Sequence, residues 1–119
     1  WVDSLEPSQG QKDAISAVYG FKGARTPEQA LQEIQAMPQS DNKDFALNGF
    51  ISGLAGQDGE AAVAWAEEIT RPGMREAAMV RAAKQYFKQD SSATQEWFVS
   101  SGLPIEAWYQ ISGAKPKID

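Results

Sequence analysis

Histidine and cysteine are both absent from this 119-residue sequence, which leaves carboxylates as the candidates for acid–base chemistry. Without them, serine–histidine–aspartate triads, zinc–histidine sites, cysteine nucleophiles and disulfides are excluded. Glu60 and Glu67 are two helical turns apart and could line one stripe, whereas the adjacent Glu67 and Glu68 point in different directions. A catalytic pair needs one desolvated carboxylate, and nothing nearby indicates a cleft. A solvated acidic helix face is therefore the preferred interpretation, and we expect no catalytic residues.

Paired acidic residues also raise the question of a calcium site, at Asp41 with Asp44 and at Asp58 with Glu60. An EF-hand loop needs oxygen ligands at positions one, three, five and twelve, with glycine at position six. The stretch that begins at Asp58 fails at position five, where Ala62 stands. Helix capping explains Asp58 better. We expect no metal ion and no cofactor.

A basic stripe is the first candidate for a binding site. Arg81, Lys84 and Lys88 are spaced i, i+3 and i+7, so they share one side of a helix, and Arg75 precedes them. As a functional site, Arg75, Arg81, Lys84 and Lys88 would bind an acidic peptide or a phosphate. As a structural element, they would pair with the acidic first half of the chain or face water. Both alternatives stay open at this point.

The charge distribution limits the classes of partner. The net charge is −5, with eleven acids and four bases in residues 1–70 against five acids and seven bases in residues 71–119. Overall acidity argues against nucleic-acid binding. The longest apolar run, residues 61–66, is far short of the roughly 20 residues that span a bilayer. We expect no nucleic-acid partner and no membrane insertion, while compartment and oligomeric state stay open.

The elements that position these residues recur along the chain. QDGEAAVAW (residues 57–65) and QDSSATQEW (residues 89–97) agree at four of nine positions. The helix anchors Trp1, Leu31, Trp65 and Trp97 are 30, 34 and 32 positions apart, and a proline follows each of the last three by seven positions. That period is the length of one helix–turn–helix unit. The sequence therefore predicts stacked helical hairpins, with tryptophans packed between the two helices of a unit.

Local signals mark where these helices begin and end. Asp58 is a predicted N-cap, Asp90 or Ser91 is expected to cap the corresponding helix of the last unit, and Thr26 opens a capping box followed by proline. Asp41 is expected to cap the second helix of its unit, and Gly23 to end a helix in the left-handed conformation. Gly49 and Gly53, one turn apart, predict close approach of another helix. No stretch alternates with period two, so we expect no sheet.

The stretch Ala64–Ala66, the Asp58 and Asp90 caps and the arginine- and alanine-rich segment 75–83 resemble the α-helical hairpin repeats of the tetratricopeptide and HEAT-like class. They are also similar to bacterial repeat proteins in which Trp-Ala helices alternate with Arg/Ala-rich helices. Ile69, Pro72 and Arg81 depart from the strict tetratricopeptide consensus. The resemblance implies the architecture of an α-solenoid and a general role in binding other proteins. It assigns no functional residues.

Together these observations predict an all-α fold of about four stacked antiparallel hairpins, arranged as a short right-handed superhelix without a sheet. The units are about 1–23, 24–56, 57–88 and 89–113, followed by a polar tail at 114–119. Trp1 is an anchor without a cap before it, so we expect the chain to be a fragment of a longer one. The expected function is non-catalytic binding of a protein or peptide, acidic if the basic stripe is the site. The alternatives are a spacer or assembly segment of a larger envelope or scaffold protein and, less favoured, an all-α carboxylate-using hydrolase.

Overall fold

The computed structural model describes residues 9–114, and this part of the chain forms α-helices without any strand. The all-α prediction without a sheet is thereby confirmed for the described range, while the predictions on Trp1 and on most of the tail lie outside it. The helices are α1 (Gln9–Arg25), α2 (Pro27–Gln35), α3 (Asp41–Ala55), α4 (Gly59–Ala66), α5 (Pro72–Gln89), α6 (Ser91–Ser101) and α7 (Ile105–Ser112).

Four of the helices pack on one another in chain order, α1 on α3, α3 on α5 and α5 on α7. The shorter helices cover them: α2 contacts α1 and α3, α4 contacts α3 and α5, and α6 contacts α5. The pairs α2–α3, α4–α5 and α6–α7 fall within the predicted units 24–56, 57–88 and 89–113. Helices α1, α3 and α5 run in the same direction, because contacts between them advance together along both sequences.

Alanines and a few large apolar side chains form the core between these helices. The alanines let helix backbones approach, and each buried isoleucine or phenylalanine stabilises the fold by about 1.5–3 kcal/mol. Residues that are at most 1% exposed include Ala30, Ile34, Ala46, Phe50, Ile51, Ala55, Ala62, Ala66, Ile69, Ala78, Ala82 and Ala83.

The packing of α1 on α3 depends on glycine. A Cβ atom added to Gly49 would overlap the carbonyl oxygen of Ser16, and one added to Gly53 would overlap that of Gly20. The two backbones are therefore in direct contact over two turns. The prediction of close helix approach at Gly49 and Gly53 is confirmed.

Gly23 has a different role from the one predicted. Helix α1 continues through it to Arg25, and Gly23 is not among the glycines with a positive φ angle. It is buried, and an added Cβ would lie 2.5 Å from the carbonyl oxygen of Phe50 in α3. The prediction of a left-handed helix end was wrong because the missing side chain serves packing at this position, not backbone conformation.

Helix capping follows the sequence signals at two of four positions. The Asp58 carboxylate accepts a hydrogen bond from the Ala61 N–H at 3.0 Å, and Asp90 accepts one from Ala93 at the same distance. The predicted cap at Asp58 is confirmed, and of the alternatives Asp90 and Ser91 it is Asp90 that caps α6. Each cap contributes about 1 kcal/mol by satisfying a backbone N–H at the start of a helix.

The other two predicted caps need correction. Ser40, not Asp41, is the N-cap of α3 and accepts from the Lys43 N–H at 3.4 Å. Asp41 is the first residue of that helix, where it pairs with an arginine instead. Thr26 stands at the N-cap of α2, but its hydroxyl donates to the Lys22 carbonyl at 3.4 Å and accepts no hydrogen bond from the helix.

The tryptophans lie at the margin of the core. Trp65 and Trp97 are half-buried and pack against the buried cluster. The indole N–H of Trp97 donates to the exposed Glu67 carboxylate at 3.3 Å. Trp108 packs edge-on against Phe87, with ring centroids 5.7 Å apart. Packing of both tryptophans against the core is confirmed. Trp65 lines a cavity with Leu31, Ile34 and Leu47 of the preceding unit, and Trp97 bonds to Glu67 of the unit before its own, so a position between the two helices of one unit stays a prediction.

Candidate functional site

An open groove lies between α5 and α7. Two adjoining cavities of about 510 and 470 Å³ form it, and Lys84 and Gln110 line both. At 1.5 Å per helical residue, the stretch of α5 from Gly73 to Lys88 gives the groove a length of about 22 Å. We call this surface the α5–α7 groove. Its lining includes Glu76, Ala77, Val80, Arg81, Lys84 and Lys88 from α5, and Leu103, Pro104, Glu106, Ala107, Gln110 and Ile111 from the α7 side.

The predicted basic residues divide into two groups. Arg81 and Lys84 line the first cavity, and Lys84 and Lys88 line the second. Arg75 lines neither cavity. Its guanidinium donates to the Ile69 carbonyl at 3.1 Å, where it satisfies a backbone acceptor between α4 and α5. Three of the four candidate residues therefore share one surface, and Arg75 is held elsewhere.

Arg81 is the most enclosed cation of the groove. Its Nη2 donates to the side-chain oxygen of Asn48 at 2.6 Å and to the Asn48 backbone carbonyl at 3.2 Å. Its Nε is buried and has no hydrogen-bond partner among residues 9–114. Burial lowers the pKa of Arg81 below the ordinary arginine value. The side chain is oriented by α3 but receives no neutralising carboxylate there.

The charges of the groove are arranged from one end to the other. Glu76 and Glu106 line the end nearer the start of α5, while Lys88 lines the opposite end. Within the described part of the chain, no carboxylate lies within ion-pair distance of Arg81, Lys84 or Lys88. The lysine end can therefore attract an anionic group, and the glutamate end a cationic one.

Arg71 pairs with an acidic residue in the first half of the chain, which is the structural role considered above for the basic residues. Its guanidinium approaches the Asp41 carboxylate to 2.5 Å, and its Nε donates to the same carboxylate at 3.1 Å. Next to it, the fully buried Asp44 accepts from the Thr70 N–H at 3.1 Å and the Thr70 hydroxyl at 2.6 Å. Both aspartates thus hold the α4–α5 connection against α3.

The glutamates considered for catalysis also bond to neighbouring helices. Glu60 accepts from the Tyr86 hydroxyl at 3.3 Å, and Glu67 accepts from Trp97. The pKa of Tyr86 is raised, first by its burial and then by the Glu60 charge. Among residues 9–114, no group of three or more acidic side chains could hold a metal ion. No helix in that range combines the length and apolar character that crossing a membrane needs.

Sequence reasoning missed the partners that complete the site. Asn48 orients Arg81 from 33 positions earlier, and Leu103 and Gln110 supply the far wall of the groove. The sequence did contain a signal for Asn48. It lies 33 positions before Arg81, about one repeat length, so the two residues occupy similar positions on adjacent helices and can form a hydrogen bond. Comparison with protein-family models, curated proteins and solved structures found no match for this chain.

Proposed function

We propose that this domain is a non-catalytic, right-handed solenoid of helical hairpins that binds an acidic, partly apolar peptide segment in the α5–α7 groove. The single observation that carries the binding role is the environment of Arg81. Asn48 orients this half-buried cation, and no carboxylate of the described residues lies within ion-pair distance of it. Burial of a charge is costly unless it is paired. An anionic group supplied by a ligand would lower that cost.

The stacking of the helices supports the solenoid. Helices α1, α3, α5 and α7 contact each other consecutively, which is the pattern expected of repeat proteins whose units touch only their neighbours. The molecule measures 57 × 30 × 21 Å, and its radius of gyration is 15.2 Å. A compact domain of 100 residues has a radius of about 13 Å. The elongation agrees with units added along one axis.

The dimensions and lining of the groove support a short peptide as the ligand. A length of about 22 Å accommodates about seven residues of an extended peptide at 3.3 Å each. Apolar ligand side chains would contact Val80 and Leu103. Ligand carboxylates would face Lys84 and Lys88, whereas a basic group would suit the end near Glu76. The peptide would therefore bind in one preferred direction.

The test uses calorimetric titration with two capped peptides, one of alternating leucine and glutamate and the other of alternating leucine and lysine. We expect the acidic peptide to bind at least about tenfold more tightly, with the difference reduced by salt. Lys84→Glu/Lys88→Glu should reverse the preference. Lys43→Glu, a charge reversal on α3 outside the groove, should leave it unchanged. Equal binding of both peptides, or loss of preference in the Lys43 variant, would count against the groove.

A second candidate function is assembly within a larger scaffold. It is supported by apolar side chains that remain exposed at both ends of the helix stack, Val18 and Phe21 on α1 and Val99 and Ile105 on α6 and α7.

A further inference from the structure

We infer that the two ends of this chain bind one another between copies, so that helix α1 of one molecule stacks on α6 and α7 of the next. The contact is separate from the α5–α7 groove and goes beyond the peptide-binding proposal. Two surfaces are involved. The head surface consists of Val18, Phe21 and Arg25 on α1, and the tail surface of Phe98, Val99, Leu103, Ile105 and Trp108.

The head surface is the side of α1 that faces away from α2 and α3. Ser16, Gly20 and Gly23 face α3. At 100° per residue, Val18 and Phe21 lie on the opposite side of the helix. Val18 is 48% exposed and Phe21 63% exposed. Arg25 lies over the Phe21 ring at 5.1 Å, so the surface is both apolar and cationic.

The corresponding side of α3 is already covered by a helix, α1. Ala24 in α1 and Ala55 in α3 accept equivalent glutamine hydrogen bonds, which aligns the two helices. Val18 precedes Ala24 by six positions, as Gly49 precedes Ala55. Gly49 is where α1 packs on α3. Val18 therefore lies on the side of α1 on which the preceding helix of a stack would be added, and Phe21, whose counterpart Ser52 is exposed on α3, lies beside that contact.

The tail surface supplies a complementary apolar site. Val99 is 82% exposed and Ile105 54% exposed, so large apolar side chains of both α6 and α7 are open to solvent. They line an open cavity of about 430 Å³ together with Phe98, Leu103 and Trp108. Val18 of a second copy would contact this cavity, with the Phe21 ring beside it.

Charge selects head-to-tail contact over contact between like ends. Lys22 of α1 is paired with Glu33 at 2.8 Å, and Lys12 lies over the Phe45 ring. Arg25 is therefore the cation of the head surface. Helices α6 and α7 carry two glutamates and no base, and Glu96 lies one turn from Val99 on α6. Two heads would place Arg25 against Arg25 and two tails Glu96 against Glu96, whereas a head against a tail would place Arg25 near Glu96. Such a contact leaves one head and one tail free, so the assembly stays open to further copies.

Sedimentation velocity over a concentration series tests this arrangement. We expect the weight-average mass of the 119-residue chain to rise beyond twice the monomer mass of 13.0 kDa without a plateau. Phe21→Glu and Val99→Glu replace exposed side chains, so both variants should fold, as circular dichroism would verify. Each variant alone should be monomeric. Gln32→Glu, which adds the same charge on the exposed side of α2, should associate like the wild type.

The decisive experiment mixes the two blocked variants. The Phe21→Glu molecule retains a functional tail and the Val99→Glu molecule a functional head, so an equimolar mixture should form a one-to-one dimer and nothing larger. A wild-type chain that stays monomeric at every concentration would overturn the inference. Dimerisation of Phe21→Glu alone would equally overturn it, because it would indicate contact between like ends. The outcome is independent of the peptide titration.

Discussion

The side-chain amide of Gln89 donates a hydrogen bond of 2.8 Å to the carbonyl oxygen of Ala55, 34 positions earlier in the sequence. Its Oε1 accepts from the Gly59 N–H at 2.8 Å, so one side chain joins the end of α3 to the start of α4. Gln57, its counterpart in the repeated sequence, donates in the same way to the Ala24 carbonyl at the end of α1. In each repeated Gln-Asp pair, the glutamine thus bonds to the end of a helix earlier in the chain, and the aspartate caps the helix that follows.

Replacing Gln89 with alanine should lower the free energy of unfolding by about 1–2 kcal/mol, because a carbonyl and an N–H at helix ends lose their partner. Urea denaturation followed by circular dichroism measures the change. Gln32→Ala, on the exposed side of α2, is the matched control and should change stability little. A Gln89 variant as stable as that control would show that water replaces both bonds at no cost.

Gly53→Ala should destabilise the protein by about 3 kcal/mol, since the added methyl group overlaps the Gly20 carbonyl and forces α1 from α3. Gly73→Ala provides the opposite control. Gly73 is exposed in the first turn of α5 with nothing near its Cβ position, so alanine should stabilise the helix by about 0.5–1 kcal/mol. Thermal unfolding of both variants gives the comparison. Equal melting temperatures would contradict the close contact.

Asp44→Ala should cost about 3 kcal/mol, because the Thr70 N–H and hydroxyl would both lose their charged acceptor at a partly buried site. Asp44→Asn keeps the shape and one acceptor oxygen and should cost about 1–2 kcal/mol. Chemical denaturation of the two variants tests the order of these losses. If asparagine proved the more damaging, shape and hydrogen bonding could not be the explanation.

The Glu33 carboxylate should titrate at a lower pH than an ordinary glutamate. Lys22 donates to it at 2.8 Å and Tyr19 at 3.2 Å, and the Lys22 hydrogen bond is the main cause that lowers the pKa of Glu33 from 4.5. A lowered folded-state pKa means that the stabilisation is present above pH 4.5 and is lost as the pH falls through the folded-state value.

NMR titration of the Glu33 side chain measures this pKa directly. Lys22→Met should raise it toward the ordinary value, and Tyr19→Phe should raise it less. Lys12→Met changes the same charge elsewhere on α1 and should have no effect. An unshifted Glu33 in the wild-type protein would mean that the Lys22 contact does not persist in solution.

The sequence was sufficient for features that depend on neighbours along the chain. The caps at Asp58 and Asp90 could be predicted because their acceptors bond three residues onward. Ser40 and Asp41 show the limit of such signals. Two short polar side chains stand together, and the bend before α3 decides which one accepts from the helix. A local pattern identifies the region of a cap more surely than the residue.

The groove shows what periodicity leaves out. Helical spacing places Arg75 and Arg81 on α5, but their environments depend on other elements. The Ile69 carbonyl holds Arg75, and Asn48 with the α7 side creates the surroundings of Arg81. The spacing of the basic residues does not predict where α7 lies. Its position depends on the packing of Ala107 and Ile111 against α5.

The backbone contact between α1 and α3 has a consequence for sequence variation. At Gly49 and Gly53 no side chain of any kind fits, so these two positions in the contact between α1 and α3 tolerate almost no substitution. At Lys84 and Lys88 the side chains end in solvent, and their replacement costs the fold little. Related domains could therefore differ in the residues of the groove while they keep the glycines of the contact between α1 and α3. The architecture thus separates the part of the molecule that must persist from the part in which new ligand preferences can evolve.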